Sequence, residues 1–150
     1  GKEYKRSLPY EMLISGKGIE NIYNFLRSKD LRKKKVLEDI DNTERGGKSK
    51  KISANYDNDI VCKKTIDMFF VFLARYAKNL SLATLSYGGV YLGGSIIEEI
   101  HHRIDRKRFI EEFGNTDHYK HILDQIPIYI MKDELIGLKG AGFRASRMIS

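Results

Sequence analysis

A single cysteine, Cys62, in 150 residues excludes an intramolecular disulfide. Its place inside an apolar helical pattern reads as a buried thiol in a reducing cytoplasm. No charged-then-apolar leader is visible, although a chain opening Gly1-Lys2-Glu3 is compatible with a longer parent, so its start carries no weight. Long apolar runs are missing as well. The longest uncharged stretch, 79–97, holds four glycines and changes period at Gly88, so it reads as a helix end plus a strand, and no membrane span is expected.

Other absences narrow the chemistry. Lys and Arg outnumber Asp and Glu by seven, concentrated in 32–35 and 45–51, yet neither run carries an aromatic residue on which a base could stack. A solvated connection is the favoured reading of these runs, and nucleic acid is disfavoured. There is no internal repeat, and no Ser-His-Asp or Cys-His order with a nucleophile motif. His101-His102 and His118-x-x-His121 have helical spacing that suits zinc only with carboxylate or cysteine ligands beside them, so solvated histidines are expected and no metal site is assigned.

What is present is enough apolar residue, 41%, for one globular core. Met12-Leu13-Ile14 reads as a buried stub before the turn Ser15-Gly16-Lys17-Gly18. Ile19, Ile22, Tyr23 and Leu26 then recur at helical spacing, with fraying near Lys29. Residues 31–51 read as a charged connection. Ser53 or Asn55 is expected to cap a central buried helix carrying Ile60, Val61, Ile66, Met68, Phe69, Phe70, Phe72, Leu73 and Tyr76.

Residues 86–95, Ser-Tyr-Gly-Gly-Val-Tyr-Leu-Gly-Gly-Ser, form the most informative segment. Two glycine pairs bracket one short strand, and Ser95 as N-cap, with Ile96, Ile97 and Ile100 at helical spacing, opens a helix to about residue 103. Such a strand-turn-helix can present backbone N–H groups to a nucleotide, though a tight turn without ligand is an equally good reading in isolation. Short helices are predicted at 109–113 and 117–123, a second strand at 128–131, and a glycine-rich turn at 137–142. A final amphipathic helix uses Phe143 and Met148 as apolar contacts. Two strands do not make a stable α/β sheet, so either 12–14 adds an edge strand or, as favoured, further strands lie upstream.

Taken together, Glu11 to Gly18 (Glu-Met-Leu-Ile-Ser-Gly-Lys-Gly), the helix after it, the Gly-Gly strand unit and Ile126-Pro127-Ile128-Tyr129 resemble, in order and spacing, the C-terminal portion of bacterial-type glucokinases. The resemblance covers about 11–143. It implies an α/β fold, the C-terminal part of an actin-like (ribonuclease H-like) ATPase lobe, helix-rich with a short, mostly parallel sheet. It places 1–136, with the basic connection 31–51, in the large lobe, and 137–150 as a closing helix returning to the small lobe. It also implies ATP-dependent phosphorylation of glucose at its 6-hydroxyl, the entry to glycolysis, with Mg2+ bridging the phosphates. Glu11 would bind sugar hydroxyls; Gly93, Gly94 and Ser95 would meet the adenosine end of ATP, and Ser15, Gly16 and Gly18 another face of the nucleotide cleft.

Lys17 departs from the family's usual proline and is expected to point into water. The family's phosphate loops and catalytic aspartate match no residue here, so this chain has no catalytic residue and is expected to be inactive alone. Its expected partners are glucose, ATP and an upstream N-terminal lobe of the same protein, with homodimerisation as the family commonly shows, in the cytoplasm. The alternative is a non-catalytic regulatory or interaction module built from the same lobe.

Overall fold

The computed structural model describes residues 9–29, 35–44, 46–133 and 135–149. Residues 32–34 of the first basic run and Arg45 of the second lie outside the described residues. The elements are α1 (Gly16–Lys29), α2 (Lys35–Asp41), α3 (Lys48–Ala54), α4 (Ile60–Thr84), β1 (Val90–Leu92), α5 (Ser95–Ile100), α6 (Arg106–Phe113), α7 (Lys120–Leu123), β2 (Ile128–Ile130) and α8 (Ile136–Ile149). Single 3-10 turns stand at Tyr10–Met12 and His101–Arg103.

Helix α4 organises the rest. Its 25 residues bury Val61, Cys62, Ile66, Phe69, Phe70, Leu73, Ala74 and Ala77, and α1, α3, α6 and α7 pack around it. A helix apolar on most sides must sit inside, and this one does. It starts because buried Asp59 accepts hydrogen bonds from the Val61 and Cys62 N–H groups, at 2.7 and 3.1 Å. Ser53 and Asn55 are not its caps: Ser53 lies inside α3, and Asn55 ends that helix. Leu85 closes α4 in the left-handed region, φ 48°, and donates its N–H to the Ser81 carbonyl.

The charged connection is folded more than its composition suggests. Within it α2 buries Leu37 and Ile40 completely, and Ile52 of α3 joins the same core. Two short apolar faces in a lysine-rich stretch suffice because Tyr23 of α1 roofs them, its hydroxyl 3.4 Å from the Leu37 carbonyl and 3.3 Å from Asp41. Burial first, and the Asp41 charge second, push the Tyr23 phenol up.

The sheet among the described residues is one parallel pair, with Val90 opposite Ile128, Tyr91 opposite Tyr129 and Leu92 opposite Ile130. The connection from β1 runs through α5, α6 and α7, the crossover that parallel strands require. Leu92 is buried and Val90, Ile128 and Ile130 pack on the core, while Tyr91 and Tyr129 face out as a stacked pair with ring centroids 5.0 Å apart. Residues 12–14 supply no edge strand. The Tyr10 carbonyl accepts from both Leu13 and Ile14 N–H, which winds the segment into a 3-10 turn.

The C-terminal glycines are helical, not a turn. Asp133 holds the start of α8, accepting from the Leu135 N–H at 2.9 Å and from Lys139 Nζ at 2.5 Å. The Lys139 hydrogen bond, then that of Leu135, lowers the Asp133 carboxyl. Phe143 and Met148 stand exposed, so neither makes the apolar contact their spacing predicts. No described helix is long and apolar enough to cross a membrane.

Candidate functional site

Three helix starts and one strand end meet at one corner. Ser15 caps α1: its hydroxyl accepts from the Gly18 N–H at 3.0 Å and donates to the Glu11 carbonyl at 2.6 Å. The residue Ser15 introduces, Gly16, has a bare Cα, and a Cβ built there would sit 3.6 Å from Ser49 Oγ of α3 and 3.7 Å from Ile96 Cδ1 of α5. The glycine-rich starts of α1 and α5 are therefore neighbours in space, although 80 residues separate Gly16 from Ile96.

Each predicted residue can now be placed. Gly93, Gly94 and Ser95 are all exposed between β1 and α5. Gly94 lies at φ 103°, a conformation that side chains avoid, and nothing lies within 4 Å of where its Cβ would be. Gly93 is closed on one side, since its Cβ would come within 3.3 Å of Met131 beyond β2. Ser95 does not cap α5: Gly94 holds the capping position and Ser95 is the first helical residue, with no side-chain cap bond. The chain already enters α5 through Gly94, which leaves the Ser95 hydroxyl free of that task.

Gly18 is buried, because the main chain of Leu13 occupies the place of a side chain. Lys17 does not simply point into water: its Nζ pairs with buried Glu20 at 3.0 Å, one turn along α1. Glu11 sits on the exposed 3-10 turn with its carbonyl engaged by Ser15. It does not line the apolar hollow of about 390 Å³ that neighbouring Met12 and Leu13 share with Ile22, Phe25, Met68 and Phe72.

Sequence reading missed α3 as part of this corner. Ser53 donates to the Glu99 carboxylate of α5, and Arg103 pairs with Asp57 at 2.5 Å, so two ties hold α3 and the turn after it against α5 and the segment that follows. Ser49 and Ser53, four residues apart, were the available signal for a helix face turned to one neighbour. Behind these ties, Tyr56 carries Arg103 over its ring at 4.9 Å and donates to Asp67 at 2.9 Å; burial, then that hydrogen bond, push its phenol up to about 12. Of the histidines, His101 Nδ1 lies 2.8 Å from the Glu98 carbonyl. Among the described residues no group of three or more His, Cys, Asp or Glu could hold a metal ion.

An exposed Gly-Gly turn at the start of α5 thus stands beside the start of α1, where Ser15 already takes the Gly18 N–H. Anionic or heteroaromatic ligands suit such a surface. Comparison with known proteins agrees in order and extent. The glucokinase of Pectobacterium atrosepticum is 33% identical over 132 residues, which cover 88% of this chain and 39% of the relative. That of Colwellia psychrerythraea is 29% identical over 140 residues, 93% of this chain and 42% of the relative. The crystal structure of glucokinase from an Antarctic psychrotroph superposes with a TM-score of 0.67 at 26% identity, over 88% of this chain and 38% of that one. The chain thus spans about two fifths of the length of the relatives it matches. With the glucokinase family profile matching residues 2–148, the chain belongs to the glucokinase family.

Proposed function

We propose that these residues are the C-terminal part of a sugar kinase that transfers the terminal phosphate of ATP to the 6-hydroxyl of glucose. The observation that carries this reading is the meeting of Gly16 with Ile96, which joins the two glycine-rich helix starts into one corner beside exposed Gly94. In this reading the chain belongs to an actin-like lobe: 1–136 contribute to the large lobe and 137–150 form the closing helix toward the small one.

The nucleotide's adenosine end lies against Gly93, Gly94 and Ser95. Open backbone at Gly94 lets a flat ring approach without a Cβ between them. Ser15 and Gly16 form the facing wall, and Gly18 supports it through its close turn against Leu13. The positive ends of two helices favour the anionic nucleotide over a neutral ligand. Glu11 accepts hydrogen bonds from sugar hydroxyls, which a carboxylate does with several lone pairs to fixed donors. Mg2+ travels with the phosphates, and no residue of this chain is assigned to it.

Orientation is what this chain contributes. Phosphoryl transfer depends on holding donor and acceptor in line and neutralising the moving charge. The general base and phosphate cradles come from the upstream lobe, so the 150 residues alone do not turn over.

The test is glucose-dependent ADP formation by the full-length protein that contains this chain, in the cytoplasm-like presence of Mg2+. Activity is expected there and not in residues 1–150 alone. Glu11→Gln is expected to raise KM for glucose roughly tenfold or more, the usual cost of weakening a charge-assisted hydrogen bond. An unchanged KM removes Glu11 from the sugar site, and an inert full-length protein sinks the kinase reading.

A further inference from the structure

We infer that the outer edge of β2 is a docking site for an acidic peptide in extended conformation, which joins the sheet as a further strand in the groove between β2 and α6. The site stands whether or not the glycine corner binds a nucleotide.

The backbone argues for it first. Val90 N–H donates to the Pro127 carbonyl and Met131 N–H to the Leu92 carbonyl, each at 2.8 Å. With Tyr91 opposite Tyr129, this parallel ladder turns Pro127, Tyr129 and Met131 toward β1, and turns the N–H and C=O groups of Ile128 and Ile130 the other way. Those outward groups have no hydrogen-bond partner among the described residues. An edge of this kind is a template for one more strand.

The edge also borders a cavity of about 600 Å³ with an apolar floor and a basic rim. Leu92 and Phe109 are buried at its floor, while Ile110 of α6 and Tyr129 are exposed at its mouth. A strand laid along β2 sends successive side chains to opposite faces, so every second residue can enter the cavity. Main-chain pairing then supplies affinity, and apolar side chains at alternate positions supply fit.

Charge selects the partner. Arg106, Lys132 and His102 stand exposed around the cavity, and no acid lines it. Neither Arg106 nor Lys132 has an ion pair among the described residues. The two flanking acids are engaged elsewhere, Asp105 accepting from the Arg108 N–H at 3.0 Å and Asp133 from Lys139. Cations beside an open edge repel a second copy of this chain, whose formal net charge is +7, and admit a strand that carries carboxylates.

The experiment uses the full-length protein that contains this chain and a rhodamine-labelled, C-terminally amidated hexapeptide of alternating glutamate and valine, with binding read by fluorescence polarisation. Saturable binding is expected. Two peptide controls leave the protein untouched. One pair of peptides is N-methylated at all the valines or at all the glutamates, and the member that blocks the edge-facing N–H groups is expected to bind about tenfold more weakly or worse. A peptide with lysine in place of glutamate is expected to lose about as much. In the protein, Arg106→Glu and Lys132→Glu are each expected to weaken the glutamate peptide about fivefold and to strengthen the lysine peptide, at an unchanged melting temperature. The peptide controls decide the outcome if either variant melts lower. No saturable binding below about 1 mM means that the upstream lobe or a second copy holds the edge, and overturns the assignment. So do N-methylated peptides that both bind like the parent, a lysine peptide that binds as tightly, or two charge variants that both stay within about twofold of wild type.

Discussion

The carbonyl carbon of Leu13 lies 2.3 Å from the position a Cβ on Gly18 would take, so the turn before α1 and the first turn of α1 are in backbone contact. Nothing flexible stands at that point, and a methyl group cannot be accommodated by a side chain swinging aside. Gly18→Ala is expected to cost about 3 kcal/mol, the upper range for forced overpacking. Urea unfolding monitored by circular dichroism measures it, and a loss below about 1 kcal/mol contradicts the contact.

Leu85 ends α4 at φ 48° with its side chain about half exposed, a place where glycine is the usual residue. Leu85→Gly relieves the left-handed strain and keeps the N–H bond to Ser81. A gain of about 1 kcal/mol is expected after subtracting glycine's extra chain entropy. A measured destabilisation would mean that the Leu85 side chain, which lines a hollow with Leu82, Tyr119 and Ile122, outweighs the strain.

Tyr56 gives a pH signature. Its folded phenol stands at about 12 against an ordinary 10.0, so the stability it contributes is fully present below pH 10.0 and is lost as pH rises toward about 12. Tyr56→Phe, which removes the bond to Asp67, is expected to cost about 1 kcal/mol at neutral pH. The gap between wild type and variant should close through the alkaline window, read as urea midpoints at about pH 8 and about pH 11.5. Tyr23, also raised, is common to both proteins and cancels. A gap that is constant with pH rules the bond out as its source.

Gly94→Ala tests the corner's backbone. With φ at 103° the strain is expected to cost about 2 kcal/mol even though the space is empty. Relief comes from moving φ, which displaces the Gly93 to Ser95 turn. KM for ATP should rise in the full-length protein while KM for glucose holds; equal rises in both would place the turn outside the nucleotide site.

The sequence announces the elements whose period is long or whose punctuation is strong. The apolar surround of α4, the bracketed strand at Val90–Leu92 and its partner at Ile128–Ile130 are read directly from residue type. The open backbone at Gly94 shows only in the fold, because two successive glycines at a strand end serve a tight turn without ligand equally well. What stays hidden is tertiary. Leu37, Ile40 and Ile52 sit among lysines and look like chance apolar residues until Tyr23 supplies the cover. Residue type offers Ser53 and Asn55 as caps of α4 and passes over Asp59, which only the burial of its carboxylate beside Val61 and Cys62 selects. The approach of α3 to α1 is hidden for the same reason, since Ser49 comes near Gly16, 33 positions earlier, only in the fold. In the C-terminal segment local capping by Asp133 overrides glycine's poor propensity, which composition alone weighs the other way.

The outward pair Tyr91 and Tyr129 offers an optical handle. The chain contains no tryptophan, so its near-ultraviolet dichroism comes from tyrosine and phenylalanine alone. Two phenol rings 5.0 Å apart and only 20° from parallel couple their transitions, and that coupling exists solely while one strand lies in step with the other. Tyr10 and Tyr76 form a second close pair, with ring centroids 4.8 Å apart, so the share of the coupled tyrosine band that Tyr91→Phe removes is what reports strand alignment, and its fading would mark slippage before the helices lose their own far-ultraviolet signal.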